Sequence, residues 1–155
     1  MNFKRNKNNH YPVCLAIMVL ISFGILLFLG ACSLDRTNPL DPKNDASIRV
    51  PNKVIHIKLT VLSESQYSPS IKIEWPKDNS VDGYYIYRAM SKYSNFVRIA
   101  TIDNFEINEY LDSDNIMKGY EYWYRMSAFI DYGEKGILEG KISQISENNA
   151  IYINE

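Results

Sequence analysis

Few residues of this 155-residue chain could carry out nucleophilic or metal chemistry. There are two cysteines, Cys14 and Cys32, and two histidines, His10 and His56. Cys14 and His10 lie in an N-terminal segment that we expect to be removed, and Cys32 is expected to be modified, for reasons given below. The mature chain would then offer His56 alone, so a catalytic triad would rest on one residue, and a Cys/His pair or a multi-histidine metal site is excluded. We therefore expect no enzyme activity, no metal and no cofactor.

A second group of candidate residues is acidic. Asp103, Glu106, Glu109, Asp112 and Asp114, which we call the acidic cluster, lie close together around the stretch LDSDN. Calcium takes about six to eight oxygen ligands, and these carboxylates could supply several of them. However, the stretch DSDNIM lacks the glycine and the distal glutamate of an EF-hand loop, and paired carboxylates for glycoside cleavage need a cleft between them. We expect the acidic cluster to be a solvated loop.

The N-terminus changes character twice before residue 33. MNFKRNKNNHYP is cationic and polar, VCLAIMVLISFGILLF is an uninterrupted apolar run, and LGAC brings small residues next to a thiol. This order is typical of a secretory signal peptide. The apolar stretch of residues 13–31 is also 19 residues long, and a membrane-spanning helix needs about 17 to 25. A transmembrane anchor is therefore the alternative interpretation.

LGAC favours the signal peptide because it resembles the bacterial lipobox, in which a small pair before a cysteine marks the cleavage site and the cysteine thiol receives diacylglycerol. The resemblance implies that residues 1–31 are a lipoprotein signal peptide and that Cys32 carries the lipid that attaches the protein to a membrane. Ser33 follows the cysteine in place of aspartate, as in lipoproteins that double-membraned bacteria send to the outer membrane. We expect a lipid-anchored protein of the bacterial cell envelope, in the outer membrane.

The net charge of the mature chain argues against one class of partner. Lys4, Arg5 and Lys7 are the only charged residues before Cys32, so removal of residues 1–31 leaves 14 basic and 18 acidic residues. The formal net charge thereby changes from -1 to -4. No basic stripe of the kind that contacts phosphates remains, so nucleic acid is not expected as a partner.

Residues 32–50 are predicted to be the lipidated cysteine and a flexible tether. The stretch SLDRTNPLDPKNDASIRV contains two proline breaks, NP and DP, and no apolar periodicity. It therefore lacks the buried surface that would offset the entropy cost of ordering it. As a flexible coil it would span about 23 Å root-mean-square, which keeps a small domain clear of the lipid headgroups.

Residues 51–155 are predicted to form one domain of about seven short strands. In VIHIKLTVL, aliphatic residues alternate with His56, Lys58 and Thr60, so a period of two places His56 on a solvent-facing side. The later runs are separated by turn residues and read SIKIEW, YYIYRA, NFVRIATI, NEYLD, YEYWYRMSAF and ILEGKISQI. No helical pattern lies between them, so an all-β antiparallel sandwich is favoured over a parallel sheet.

These runs resemble the fibronectin type III domain over about residues 51–153. That family has a tryptophan at the end of its second strand, where Trp75 lies, and its third strand often reads like GYYIYR in bacterial members. Its corner before the sixth strand has a leucine-like residue, a tyrosine and an alanine at intervals of six, as in Ile116, Tyr122 and Ala128. The usual proline of the corner is Lys118 here. The resemblance implies a seven-stranded fibronectin type III or immunoglobulin-like sandwich, with Trp75 and the Tyr122 hydroxyl in structural roles.

Alternation predicts an aromatic surface on the third and sixth strands. Tyr84 and Met126 should face the core together with every second residue of their strands, which sends the intervening residues outward. The two strands are neighbours in the resembled fold, so their outward side chains would share one surface, which we call the outer face. Tyrosine, tryptophan and arginine are enriched at binding hot spots, and flat rings also stack on sugars. The predicted binding residues are Tyr85, Tyr87, Trp123, Arg125 and Phe129.

The alternative is that these cross-strand aromatic pairs only stabilise the sheet. If the outer face binds, two functions from different classes remain. One is a membrane-anchored envelope lipoprotein whose sandwich is a non-catalytic protein-interaction module, and the other is a carbohydrate-binding surface lipoprotein. The expected partners are the membrane, through the lipid on Cys32, and an envelope protein or a glycan. Capture from envelope extracts would support the first function, and glycan-array binding the second.

Overall fold

The structure, a computed structural model, describes residues 38–62, 69–145 and 147–154, all within the unit Asn38–Glu155. In this part of the chain there are eight strands and two single turns of 3-10 helix, Gly133–Lys135 and Glu147–Asn149. The strands are β1 (Lys58–Leu62), β2 (Ser70–Glu74), β3 (Gly83–Ala89), β4 (Val97–Ile102), β5 (Glu109–Asp112), β6 (Glu121–Asp131), β7 (Ile137–Glu139) and β8 (Ala150–Tyr152).

The strands pair into two antiparallel sheets. The smaller sheet has the order β1-β2-β5, and the larger has the order β4-β3-β6-β7, with β8 also paired to β6. The prediction of an all-β antiparallel sandwich is confirmed, and the strand arrangement is that of a fibronectin type III-like domain. The described residues contain eight strands in place of the predicted seven, because β7 covers only the first three residues of the last predicted run, ILEGKISQI, and β8 follows after that run.

The core lies between the sheets and follows the period of two in the central strands. Ile71 and Ile73 of β2, Ile86 of β3 and Met126 of β6 are each 0% exposed. Fully burying an aliphatic side chain of this size stabilises the fold by about 1.5–3 kcal/mol. The alternation that predicts these inward positions therefore also identifies the side chains that hold the two sheets together.

Trp75 and Tyr122 occupy the core and the corner of the sandwich. Trp75 is 3% exposed, and its ring meets that of Tyr84 edge-on, with the centroids 5.4 Å apart. The Tyr122 hydroxyl accepts a hydrogen bond from the backbone N–H of Met117 at 2.9 Å and donates one to the carbonyl of Asn115 at 3.3 Å. These two bonds tie the loop before β6 to β6 itself, as in the tyrosine corner of this class of sandwich.

The first strand is shorter than the sequence predicts. The run from residue 54 was expected to be continuous, but β1 begins at Lys58 because His56 has a φ of 57°, in the left-handed region. This backbone conformation reverses the alternation around it, so that Val54 and Ile57 are buried while Ile55 is 54% exposed. The His56 side chain is exposed, on the surface as expected.

Residues 38–50, which we call the strap, differ from the predicted flexible tether because they pack on the domain. Ile48 is 3% exposed, so the strap buries one large apolar side chain. The Tyr132 hydroxyl accepts from the backbone N–H of Arg49 at 2.7 Å and donates to its carbonyl at 3.0 Å. Lys135 forms an ion pair with Asp45 at 2.7 Å. The strap is therefore fixed to the turn between β6 and β7.

Candidate interaction surface

The pairing of β3 with β6 brings the predicted binding residues onto one side of the larger sheet. Tyr87 lies directly opposite Arg125, and Tyr85 lies opposite Ser127. Side chains two residues apart on a strand point to the same side, so Trp123 and Phe129 join this group. The outer face therefore carries all five predicted residues, Tyr85, Tyr87, Trp123, Arg125 and Phe129.

The prediction that the aromatic rings of this face are exposed is wrong for three of them. Tyr85, Trp123 and Phe129 are 7%, 4% and 4% exposed. The rings of Tyr85 and Phe129 stack with their centroids 4.6 Å apart. The Phe129 ring lies over Gly83, where an added Cβ would come within 2.6 Å of it. Tyr85 and Phe129 bury each other, so this part of the face has a second, smaller apolar layer outside the core.

Cationic side chains cover two of these rings. The guanidinium carbon of Arg98, which is an exposed residue of β4, lies 4.6 Å from the centroid of the Tyr85 ring. The ammonium of Lys92, in the loop between β3 and β4, lies 5.5 Å from the centroid of the Trp123 ring. A cation over a ring face gains about 0.5–1 kcal/mol at an exposed site, and its alkyl chain covers apolar surface.

The side chain of Arg125, on β6, reaches the end of the loop between β3 and β4. Its guanidinium carbon is 5.4 Å from the centroid of the Phe96 ring, and its Nε donates to the carbonyl of Ser143 at 2.7 Å. The ring and the carbonyl together fix the side chain in a half-buried position. On the outer face, cationic groups therefore cover the rings of Tyr85 and Trp123.

Two carboxylates at the outer face, those of Glu121 and Glu139, accept hydrogen bonds from other side chains of that face. Glu139 accepts from the Tyr87 hydroxyl at 2.7 Å and from the Ser127 hydroxyl at 2.5 Å. Burial, with the carboxylate beside it as the second cause, raises the pKa of Tyr87, so its hydroxyl stays protonated as a donor. Glu121 accepts from the indole N–H of Trp123 at 2.7 Å. Both carboxylates are thus engaged in holding aromatic side chains of the face.

Asp112 departs from the predicted solvated loop, because it is 1% exposed. Its two carboxylate oxygens accept from Nη1 of Arg88 at 2.8 and 3.0 Å, and the Tyr124 hydroxyl donates to Oδ2 at 2.7 Å. Arg88 Nη1 also donates to the carbonyl of Asp114 at 2.7 Å. Burial, with the hydrogen bond to Asp112 as the second cause, raises the pKa of the Tyr124 hydroxyl far above its ordinary value. The group links β3, β5 and β6 across one end of the sandwich.

Two other members of the acidic cluster, Glu106 and Glu109, form ion pairs separate from that of Asp112. Glu109 pairs with Lys72 at 3.0 Å, and Glu106 pairs with Lys77 at 3.1 Å, both at the surface. Within the described ranges, no three or more His, Cys, Asp or Glu side chains are grouped so that they could hold a metal ion. The cluster therefore divides into one buried structural carboxylate, Asp112, and four exposed residues, of which Glu106 and Glu109 form surface ion pairs.

The loop between β3 and β4, together with the first residue of β4, carries exposed apolar side chains that sequence reasoning missed. Tyr93 is 90% exposed, Met90 is 51% exposed and Val97 is 63% exposed. In the sequence these residues are scattered through a polar stretch that reads as turn punctuation, so no periodicity marks them. They adjoin Lys92 and Arg98, two cations of the outer face, in the chain.

The predicted lipidation site, Cys32, lies outside the described residues, as does the apolar run before it. Over the residues that the structure does describe, no helix has the length and apolar content needed to cross a membrane.

Comparison with known proteins finds solved structures of similar fold but no match by sequence. No family model matches the sequence, and no curated protein matches it. Among solved structures, an Fn3-like protein from Clostridium thermocellum is similar with a TM-score of 0.48 and 18% identity, over 62% of this chain and 88% of that one.

Two further solved structures are similar over comparable parts of this chain. An FN3 domain of human collagen XX has a TM-score of 0.38 and 19% identity, over 61% of this chain and 88% of that one. A pectate lyase from Erwinia chrysanthemi, solved in complex with tetragalacturonic acid, has a TM-score of 0.38 and 23% identity, over 57% of this chain and 27% of that one.

Proposed function

We propose that this protein is a lipid-anchored lipoprotein of the cell envelope whose sandwich docks an acidic surface of another envelope protein. The observation that supports this proposal most is the outer face, where Lys92, Arg98 and Arg125 lie over aromatic rings. Rings hold these cations in place, so less side-chain entropy is lost when a partner binds them. The domain is a docking module and performs no catalysis.

The distribution of charge selects an acidic partner. Arg98 forms no ion pair with any described residue, whereas the carboxylates Glu121 and Glu139 accept hydrogen bonds from Trp123 and Tyr87. A partner that offers carboxylates to Arg98 and Arg125 meets the face with complementary charge, which steers encounter and fixes the docking register. The exposed ring of Tyr93 adds an apolar contact of a type enriched at interfaces.

The anchor in this proposal is the lipid on Cys32, which the LGAC sequence supports. Because the strap is ordered on the domain, residues 33–37 alone separate Cys32 from it. Even fully extended, a chain of that length reaches at most about 20 Å. The domain is then held close to the lipid surface, by the end that carries the turn between β6 and β7.

Carbohydrate binding is less well supported than protein docking. Sugar stacking needs an open ring face, and the rings of Tyr85, Trp123 and Phe129 are each less than a tenth exposed. A glycan would have to displace the cations that cover Tyr85 and Trp123.

The test is co-purification from envelope membranes after chemical cross-linking. Arg98→Glu combined with Arg125→Glu places two carboxylates on the outer face and should abolish a cross-linked partner. Capture by the unaltered protein should weaken as salt is added, since exposed charges are screened over about 8–10 Å at physiological ionic strength.

The matched control combines Lys58→Glu with Lys118→Glu, which changes the net charge equally at exposed sites away from the outer face. This variant should keep the partner. If the two variants lose it equally, or if the outer-face variant keeps it while remaining folded, the outer face is not the docking surface.

A further inference from the structure

The edge of β6 opposite β3 pairs with two separate strands, β7 and β8, and several residues between them form no strand. β7 pairs with the end of β6, and the pairing resumes at Ala150, which lies opposite Trp123. Between these two points, Gly140 and Ser143 each donate one backbone N–H to β6, to the carbonyls of Ala128 and Met126. Gln144, Ile145 and the 3-10 turn Glu147–Asn149 lie outside the strands and together form what we call the excursion.

Two side chains replace the missing strand along this part of β6. The Ser143 hydroxyl accepts from the backbone N–H of Met126 at 3.0 Å, and the Asn149 side-chain amide donates to the carbonyl of Tyr124 at 3.2 Å. Ser143 is 3% exposed and Asn149 is 7% exposed. Because these side chains satisfy buried backbone groups of β6, the excursion keeps its own backbone away from the sheet.

Across from the excursion, the chain approaching β1 is also without a strand partner. In the described part of the protein, no backbone hydrogen bond joins residues 53–57 to another segment, and pairing begins at Lys58. The left-handed φ of His56 turns this stretch away from the line of β1. Val54 and Ile57 hold it by burial, while its polar backbone groups stay available. Although residues 53–57 are not a strand, their backbone groups have no backbone partner in the described part of the protein, so an extended chain can pair with them.

A cleft of about 280 Å³ separates these two walls. Its lining includes residues 53–57 on one side and Ser143, Gln144, Asn148 and Asn149 on the other. Residues 53–55 also border a second cavity, of about 330 Å³. The lining of the first cleft holds Lys53 and His56 but no carboxylate, and its side-chain amides can both donate and accept hydrogen bonds.

We propose that this cleft binds an extended peptide segment with acidic side chains, which pairs through its backbone with residues 53–55. Main-chain hydrogen bonds to a free edge give affinity in this mode of recognition, and alternate side chains give selectivity. The acidic side chains of the peptide face Lys53 and His56, and an aliphatic side chain contacts the exposed side chain of Ile55. Gln144 and Asn148 bond the peptide groups from the opposite wall. This site adjoins the outer face at Ser143, whose carbonyl accepts from Arg125, but it does not depend on the docking proposed for that face.

The probe is the peptide acetyl-Val-Glu-Val-Glu-Val-amide, added to the isotope-labelled chain of residues 33–155 and followed by amide NMR shifts. We expect saturable shifts confined to residues 53–57 and 143–149. A second peptide of the same sequence, with its valine amides N-methylated, keeps the charge but loses the backbone donors. It should cause no saturable shifts. Equal shifts with both peptides, or shifts elsewhere on the domain, would overturn the proposal.

Lys53→Glu should weaken binding of the unmethylated peptide about tenfold or more, because it places a carboxylate opposite those of the peptide. Lys58→Glu is the matched control, since this lysine is on β1 outside the cleft and its side chain is 72% exposed. It should bind as the unaltered chain does, and an equal loss in both variants would contradict the site. If amides of the cleft shift on dilution without peptide, a second copy of the chain fills it, and the proposal fails.

Discussion

The buried ion pair between Arg88 and Asp112 offers the most demanding test of the fold. Nη1 of Arg88 contacts both oxygens of Asp112, and the Tyr124 hydroxyl donates to one of them. The Arg88→Met change keeps most of the side-chain volume but removes the cation. The carboxylate then keeps hydrogen bonds from Tyr124 and from the N–H of Asp114, the latter at 3.3 Å. We expect a large loss of stability from this single change.

The magnitude follows from burial. The side chain of Asp112 is 1% exposed and that of Arg88 is 18% exposed, so water cannot reach the carboxylate when the arginine is gone. Leaving a buried charge without its partner costs about 3–5 kcal/mol, out of a total of about 5–15 kcal/mol for a small domain. Asp112→Asn should cost less, about 1.5–3 kcal/mol, because Arg88 retains some contact with water.

The assay is urea unfolding followed by tryptophan fluorescence at neutral pH. Arg88→Met combined with Asp112→Leu should cost less than Arg88→Met alone, since an apolar pair leaves no charge buried. This non-additivity is the specific sign of a coupled pair. A loss below about 1 kcal/mol for Arg88→Met, or additive losses in the double variant, would refute the reasoning.

Three further predictions concern the core, the outer face and the strap. Trp75→Ala should cost about 3–5 kcal/mol and Tyr122→Phe about 1–2 kcal/mol, and unmoved urea midpoints would exclude them from core and corner. Trp123→Ser should destabilise by about 3 kcal/mol or more, because its ring is 4% exposed, and a neutral result in the same assay would contradict that burial. The hydrogen bond from Lys135 lowers the pKa of Asp45 below its ordinary value of 3.8, so the contribution of this ion pair to holding the strap is present above that pH and is lost as pH falls through the lowered pKa. Hydrogen exchange of residues 38–50 should therefore speed up selectively in strong acid, and unchanged protection there would show that the ion pair does not hold the strap.

Period-two alternation was sufficient to predict the inner side of the sandwich. It identifies the inward residues of β3 and β6, because those strands are paired on both edges and one of their sides meets the other sheet. It also assigns Tyr85 and Trp123 correctly to the other side of the sheet. It cannot predict that this side is covered, since Arg98 and Lys92 reach over the rings from a neighbouring strand and loop.

Other features depend on contacts between residues far apart in the chain. The sequence offers no sign that Asp112 is buried, because its partner Arg88 is 24 residues away. The strap has no apolar period, and a single buried residue, Ile48, with bonds to a turn more than 80 residues later, is enough to order it. The break at His56 is a backbone conformation that a polar residue in an alternating pattern does not reveal.

The most direct measurement of the central proposal is the mass of the N-terminal peptide of protein extracted from envelope membranes. The account predicts a peptide that begins at Cys32 and carries a thioether-linked diacylglycerol and an amide-linked acyl chain, which exceeds the two anchoring signals that stable attachment needs. Cys32→Ser should leave the chain unprocessed or release it from the membrane. A membrane-bound protein that retains residues 13–31 with an unmodified Cys32 would contradict the account.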